Sequence, residues 1–133
     1  MNYTGSIKWS DAWVFASVFG YDQNERRIDI AEIIGRGDII NHAIFTLDEL
    51  KSGFKMLQVL KLIKINDGNL SLTSDAINIR ARVTKKNRDL LSMVDLIIKE
   101  LNSVEVLDNE IVSDVSFLTP ELLDSEYKKY KNT

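Results

Sequence analysis

The chain has 133 residues, of which 44% are apolar and 28% charged, and its net charge is −3 at neutral pH, which is typical of one compact domain with short extensions. It contains no cysteine, so disulfides and thiolate zinc sites are excluded, and it has no run of about 18 apolar residues that could cross a membrane. Residues 1–5 lack the basic and apolar segments that begin a signal peptide, so we expect a cytoplasmic protein.

Two helices are predicted in the first third of the chain. Ser10 is a suitable N-cap for a helix over residues 11–19, in which apolar side chains recur at helical spacing. Residues 21–27 are polar and predict a loop. The second helix is expected over residues 28–34, with Asp29 as its cap.

A third helix has stronger signals. It follows a Gly-Arg-Gly segment at residues 35–37, which predicts the end of the second helix, and a short turn or helical piece at residues 38–45. Thr46 and Glu49 have the T-x-x-E spacing of a capping box, in which each side chain accepts a hydrogen bond from the other residue's backbone. The apolar face of this helix consists of Leu50, Phe54 and Leu57.

Residues 63–72 predict a β-hairpin, because the apolar period changes there from 3.6 to two. Asp67 and Gly68 favour a two-residue type I′ turn. That turn places Ile65 opposite Leu70 and Ile63 opposite Leu72, so both apolar pairs lie on one face of the hairpin. A slip of one residue would break both pairs, so the sequence specifies the register strongly.

Three helices and one strand-like segment are expected after the hairpin. Thr73 or Ser74 can cap a helix that runs to about residue 83, and a second helix fits residues 87–101. The second helix carries an apolar stripe that either packs on its own domain or forms the seam of a dimer. Residues 104–107 are strand-like, and a final helix begins with Thr119 as cap and Pro120 in its first position. The stripe consists of Leu90, Val94, Ile97 and Leu101.

Three helices followed by a hairpin make the winged helix-turn-helix the simplest topology, in a fold that is mainly α with a small β-hairpin. We assign residues 1–84 to the winged-helix domain. Residues 85–133 form a helical C-terminal extension that packs on this domain or mediates dimerisation.

The stretch DIINHAIFTLDELKSGFKMLQVLKLIKINDGNLSLTSDA resembles a group of small bacterial proteins with winged-helix-like architecture and mostly no assigned function. The shared features are D-x-x-N-H-A-I-x-T-x-D-E-L at residues 38–50, the leucine-rich helix, the hairpin and the C-terminal LTPELLDSEYKKY. The chain departs from the pattern at Lys61, where many winged helices have glycine, so the turn there is expected to be tighter or strained. The resemblance implies the fold and a bacterial origin, and it implies no catalytic or ligand-binding residue.

The sequence gives no support for an enzyme, and we expect no cofactor. His42 is the only histidine, so a metal site built from several histidines is excluded. A lone histidine in a connection between helices more often makes a turn or cap contact than acts as a general base. The G-x-S-x-G, dinucleotide-binding and P-loop motifs are absent.

Charge is distributed unevenly along the chain. Residues 51–88 carry nine cations against two anions, or +7, and residues 89–127 carry ten anions against one cation, or −9. A basic helix and wing are typical of a nucleic-acid interface, although clustered charge is as often only a solvated surface. The residues expected to contact nucleic acid are Lys51, Ser52, Lys55, Gln58, Lys64, Arg80, Arg82, Lys85 and Lys86.

Within that set we expect the lysines to contact phosphates and Ser52 or Gln58 to reach base edges. Asp48 at the start of the helix and Asp67 at the tip of the hairpin oppose DNA binding. Two functions therefore stay open. One is a DNA-binding transcriptional regulator, dimeric through the 87–101 helix; the other is a protein-binding module whose acidic half binds a basic partner, such as an immunity protein against a cationic toxin or a regulatory subunit.

Overall fold

The residues that the structure describes form six helices and a small antiparallel sheet. A computed structural model describes residues 7–19, 26–27, 29–66, 69–86, 89–104 and 115–132. No helix in these ranges is both long and apolar enough to span a membrane. The elements are α1 (Trp9–Ser17), β1 (Arg26–Arg27), α2 (Ile30–Asn41), α3 (Leu47–Val59), β2 (Ile63–Asn66), β3 (Asn69–Leu72), α4 (Ser74–Lys86), α5 (Leu90–Asn102) and α6 (Pro120–Lys131).

Helix α1 lies at the centre of the core. It packs against α2, α3 and α5, and every residue from Asp11 to Val18 is buried. Asp11 is tolerated there because its carboxylate accepts hydrogen bonds from the Lys8 backbone N–H (3.1 Å) and from the Ser52 hydroxyl of α3 (2.8 Å). The expected cap at Ser10 is wrong: Lys8 is the N-cap, since the Asp11 carboxylate satisfies its N–H.

Helix α2 is continuous through residues 35–37, where the sequence predicted its end. Asp29 caps the helix as expected, accepting a hydrogen bond from the Glu32 backbone N–H at 3.2 Å. A β-carbon at Gly37 would overlap the ring of Phe45, so only glycine allows this close packing. Tertiary packing of this kind overrides the low helix propensity of glycine. The helix ends instead at His42, whose φ of 54° is left-handed.

The predicted capping box and hairpin register are confirmed. The Thr46 hydroxyl accepts from the Glu49 N–H at 3.1 Å, and the Glu49 carboxylate accepts from the Thr46 N–H at 2.8 Å. Strands β2 and β3 pair antiparallel with Ile63 opposite Leu72 and Ile65 opposite Leu70, while the expected turn at residues 67–68 lies outside the described residues.

The sheet has a third strand within the segment predicted as a loop. Strand β1 pairs antiparallel with β3, which gives the order β1-β3-β2. Its two residues pair with Leu70 and Asn69. A strand of two residues is too short to produce a periodic signal, so the polar sequence 21–27 did not reveal it.

The turn between α3 and β2 is built on Lys61, whose φ of 60° is left-handed. The Leu62 N–H donates to the Leu57 carbonyl at 2.8 Å, and the Lys61 N–H donates to the Gln58 carbonyl at 3.0 Å. This is the Schellman arrangement, in which glycine is the usual residue at the left-handed position. The strain expected at Lys61 therefore has a structural basis: a residue with a β-carbon is held in the left-handed conformation that glycine adopts more readily.

We expect Lys61→Gly to stabilise the protein by about 1 kcal/mol, because the left-handed conformation costs a residue with a β-carbon about 1–2 kcal/mol. The higher entropy of glycine in the unfolded chain offsets part of this gain. The measurement is the urea midpoint at unchanged slope. Lys61→Ala removes the side chain but keeps the β-carbon, so it should show no such gain. A glycine variant no more stable than the alanine variant would contradict this explanation.

The C-terminal helices pack on the first three. Helix α4 is capped by Thr73, whose hydroxyl accepts from the Ala76 N–H at 3.2 Å, and α5 packs on α1 and α4. Most of the apolar stripe of α5 is completely buried within the single chain and forms core, namely Val94, Ile97 and Leu101. The side chain of Leu90 lies outside the described part.

Helix α6 packs on α2 and is capped as predicted. The Thr119 hydroxyl accepts from the Leu122 N–H at 3.1 Å, and Pro120 is the first helical residue. The Tyr130 hydroxyl donates to the Asp38 carboxylate at 2.8 Å, and this hydrogen bond raises the pKa of Tyr130 above its ordinary value. Of the strand-like segment 104–107, Val104 lies in a bend and the other residues lie outside the described ranges.

Candidate nucleic-acid interface

The solvent-facing part of α3 is confined to its first two to three turns. Asp48 and Lys55 are exposed, and Lys51 and Ser52 are half-buried between them. From Met56 to its end the helix is buried on all sides, with Val59 only 5% exposed. The surface that α3 can offer to a ligand is therefore short, and it carries two basic side chains and two acidic ones, Asp48 and the half-buried Glu49.

Gln58 does not point away from the core as the sequence predicted. It is only 6% exposed, and its amide Nε2 donates to the Phe54 carbonyl at 3.3 Å. The prediction took Leu50, Phe54 and Leu57 as the whole apolar face, but the buried face is wider near the end of the helix. Gln58 is thus unavailable for the base contacts proposed for it.

Ser52 is also engaged inside the chain. Its hydroxyl donates to the carboxylate of Asp11 at 2.8 Å, across the contact between α3 and α1. Since Asp11 is completely buried, this hydrogen bond satisfies a carboxylate that has no access to water. Ser52 therefore has a structural role at the helix crossing, which the sequence did not reveal because the two partners are 41 positions apart.

The two arginines of the predicted interface contact other parts of the same chain. Arg80 is partly buried, and its guanidinium donates to the Phe19 carbonyl at 2.5 Å. Arg82 is exposed and forms a bidentate ion pair with Glu100 of α5, with the shortest N···O distance 2.7 Å. Hydrogen bonding to Glu100 raises the pKa of Arg82, so the guanidinium stays charged but is neutralised by its partner.

Four of the predicted lysines keep their charge open to solvent. Lys55, Lys64 and Lys85 are exposed and Lys51 is half-buried, and none of them forms an ion pair with a carboxylate of the described residues. Lys51 and Lys55 are one turn apart on α3, and Lys64 alternates with the buried Ile63 and Ile65 of β2. The side chain of Lys86 lies outside the described part.

The acidic stretch 89–127 is partly neutralised within the chain. Glu100 pairs with Arg82, and Asp124 and Glu126 pair with Lys128 and Lys129, which lie just beyond that stretch. Another four of its acids, Glu105, Asp108, Glu110 and Asp114, lie outside the described residues. The helical surface of α5 and α6 is therefore less acidic than the count of −9 indicated.

A groove of about 360 Å³ lies between α2 and α6, with the 64%-exposed Ile39 on its wall. The charged side chains of the groove form ion pairs with one another: Lys129 pairs with Asp29 at 3.8 Å, and Arg36 pairs with Glu32.

In the described ranges no cluster of three or more histidines and carboxylates could hold a metal ion. No protein-family model, curated protein or solved structure matches the chain.

Proposed function

We propose that the chain is a non-enzymatic winged helix-turn-helix module that binds double-stranded DNA. The element order supports this topology, with α2 and α3 joined by residues 42–46 as the helix-turn-helix pair and the β2–β3 hairpin as the wing. The remaining helices act as a scaffold, since α5 packs on α1 and α6 packs on α2.

The observation that carries the proposal is the set of unpaired lysines on consecutive elements. Lys51 and Lys55 on α3 and Lys64 on β2 have no ion-pair partner in the described part of the chain. An unpaired lysine keeps its full Coulomb attraction for a phosphate, and such contacts supply most of the affinity of non-specific DNA binding. A total charge of −3 does not prevent this. Salt screens charges that lie more than about 10 Å from a phosphate, so the charges close to the phosphate decide its attraction.

Binding to a labelled duplex, measured by fluorescence anisotropy over a series of salt concentrations, tests the proposal. We expect affinity to fall steeply with salt, and Lys51→Ala, Lys55→Ala and Lys64→Ala each to flatten the logarithmic slope by about one unit. Lys99→Ala is the matched control, because Lys99 is an exposed lysine on α5 outside the basic stretch. It should leave the slope unchanged.

If the wild-type chain retains no DNA at low salt, the proposal fails and the function becomes protein binding. The alternative is then a module whose acidic half binds a basic protein, such as an immunity protein against a cationic toxin or a regulatory subunit. Equal slopes for all four alanine variants would also contradict the proposal, because they would show that these lysines do not contact the phosphates.

A further inference from the structure

We infer that this interface contacts phosphates and reads no bases, so that the chain binds duplex DNA without sequence preference. The inference rests on the proposed function and specifies its ligand. It concerns three features of α3 and its surroundings: the charge of the first turn, the side chains that could read bases, and the chemistry of the cations that remain.

The first turn of α3 is acidic. In a helix-turn-helix, residues at this end of the recognition helix contact base edges in the major groove. Here Asp48 is exposed at that position, and the carboxylate of Glu49 is occupied by the Thr46 N–H. A carboxylate is repelled by the phosphates that line the groove, and only the amino groups of cytosine and adenine offer it a partner there. Asp48 therefore opposes insertion of this turn into the groove.

The two neutral side chains of α3 that were predicted to read bases are committed inside the protein. The Ser52 hydroxyl donates to the buried carboxylate of Asp11, so freeing it would leave that carboxylate without this hydrogen bond. The Gln58 amide donates to the Phe54 carbonyl from a position only 6% exposed. Neither side chain can reach a base edge without breaking the packing of α3.

Among the described side chains of α3 and β2, the cations are lysines. Lysine is a flexible point charge that suits phosphates, whereas arginine is the side chain whose planar fork matches guanine. Arg80 and Arg82 are held by the Phe19 carbonyl and by Glu100. The described surface of α3 and β2 thus offers Lys51, Lys55 and Lys64, which give affinity and position but carry no sequence information.

The test compares dissociation constants for a panel of duplexes of unrelated sequence, together with selection from a random-sequence pool. We expect all the constants to agree within about tenfold and the pool to show no enriched motif, because specific sites usually exceed non-specific ones by about 10³-fold or more. A duplex bound about 10³-fold more tightly than the rest would overturn the inference and leave the proposed function standing. Failure to bind any duplex would overturn the proposed function itself.

A second variant tests the role of the first turn directly. Asp48→Ala should tighten binding severalfold and by the same factor on every duplex, because it removes a repulsion that does not depend on sequence. Asp75→Ala is the matched control, since it removes an exposed carboxylate from the first turn of α4 instead. A change in affinity that differs in size or sign from one duplex to another would show that Asp48 reads bases, and would overturn the inference.

Discussion

Replacing Ile97 with aspartate should leave the chain unfolded at room temperature. Ile97 is completely buried in α5, which packs against the central helix α1. The substitution loses about 2–5 kcal/mol of apolar packing. It also buries a carboxylate without a partner, which costs several kcal/mol more or forces the group to take up a proton. The sum is comparable with the whole stability of a small domain, about 5–15 kcal/mol.

The measurement is thermal unfolding followed by circular dichroism, in which the variant should show no cooperative transition. Ile39→Asp is the matched control, because it makes the same chemical change at an isoleucine that is 64% exposed on α2. Its melting temperature should stay close to that of the wild type. An Ile97→Asp chain that melts with the wild-type midpoint would show that the 94–101 stripe does not form core.

The elements that the sequence predicted well depend on short-range interactions. The capping box joins Thr46 to a residue only three positions away, and the β2–β3 register follows from alternation on two adjacent strands. Thr119 and Pro120 mark the start of α6 in the same local way. Each of these patterns involves only a few neighbouring residues, so it can be recognised without the tertiary structure.

The features that the sequence missed depend on distant partners. The end predicted for α2 was wrong because Gly37 is required by Phe45, while Gly35 lies against the ring of Tyr130, near the other end of the chain. The exposure predicted for Gln58 was wrong because the buried face of α3 widens where the helix enters the core. Helix propensity depends only on local sequence, so it could not predict either of these tertiary effects.

The sequence predicted which residues form the candidate interface, but it did not predict which of their side chains are open to solvent. The sequence identified the lysines of α3 and β2, since a basic stretch can be counted directly. Counting cannot separate a lysine open to solvent from Arg82, whose partner Glu100 lies 18 residues away on another helix. Likewise, no sequence pattern joins Ser52 to Asp11, which lie on different helices.

Gly53→Ala should destabilise the protein by about 1–2 kcal/mol, against the usual preference of helices for alanine. A β-carbon at Gly53 would lie 2.7 Å from Cβ and Cγ2 of Val14, at the crossing of α3 and α1. Val14 is completely buried, and its Cβ is fixed to the backbone of α1, so rotation of the side chain cannot relieve the contact. Overpacking of this kind costs about 1–3 kcal/mol, which exceeds the roughly 0.5–1 kcal/mol that alanine gains in a helix.

Urea denaturation of Gly53→Ala, Val14→Ala and the double variant measures this clash. Because the two residues are in contact, the double variant should be more stable than the sum of the single effects predicts. Gly35→Ala is the control: its β-carbon would meet ring atoms of Tyr130 at 2.9 and 3.0 Å, but that ring is half-buried on α6 and can move aside. It should therefore be destabilised less than Gly53→Ala. A Gly53→Ala chain as stable as the wild type would mean that α1 and α3 can separate at no cost. Additive single effects would mean that the methyl groups of Val14 take no part in the clash.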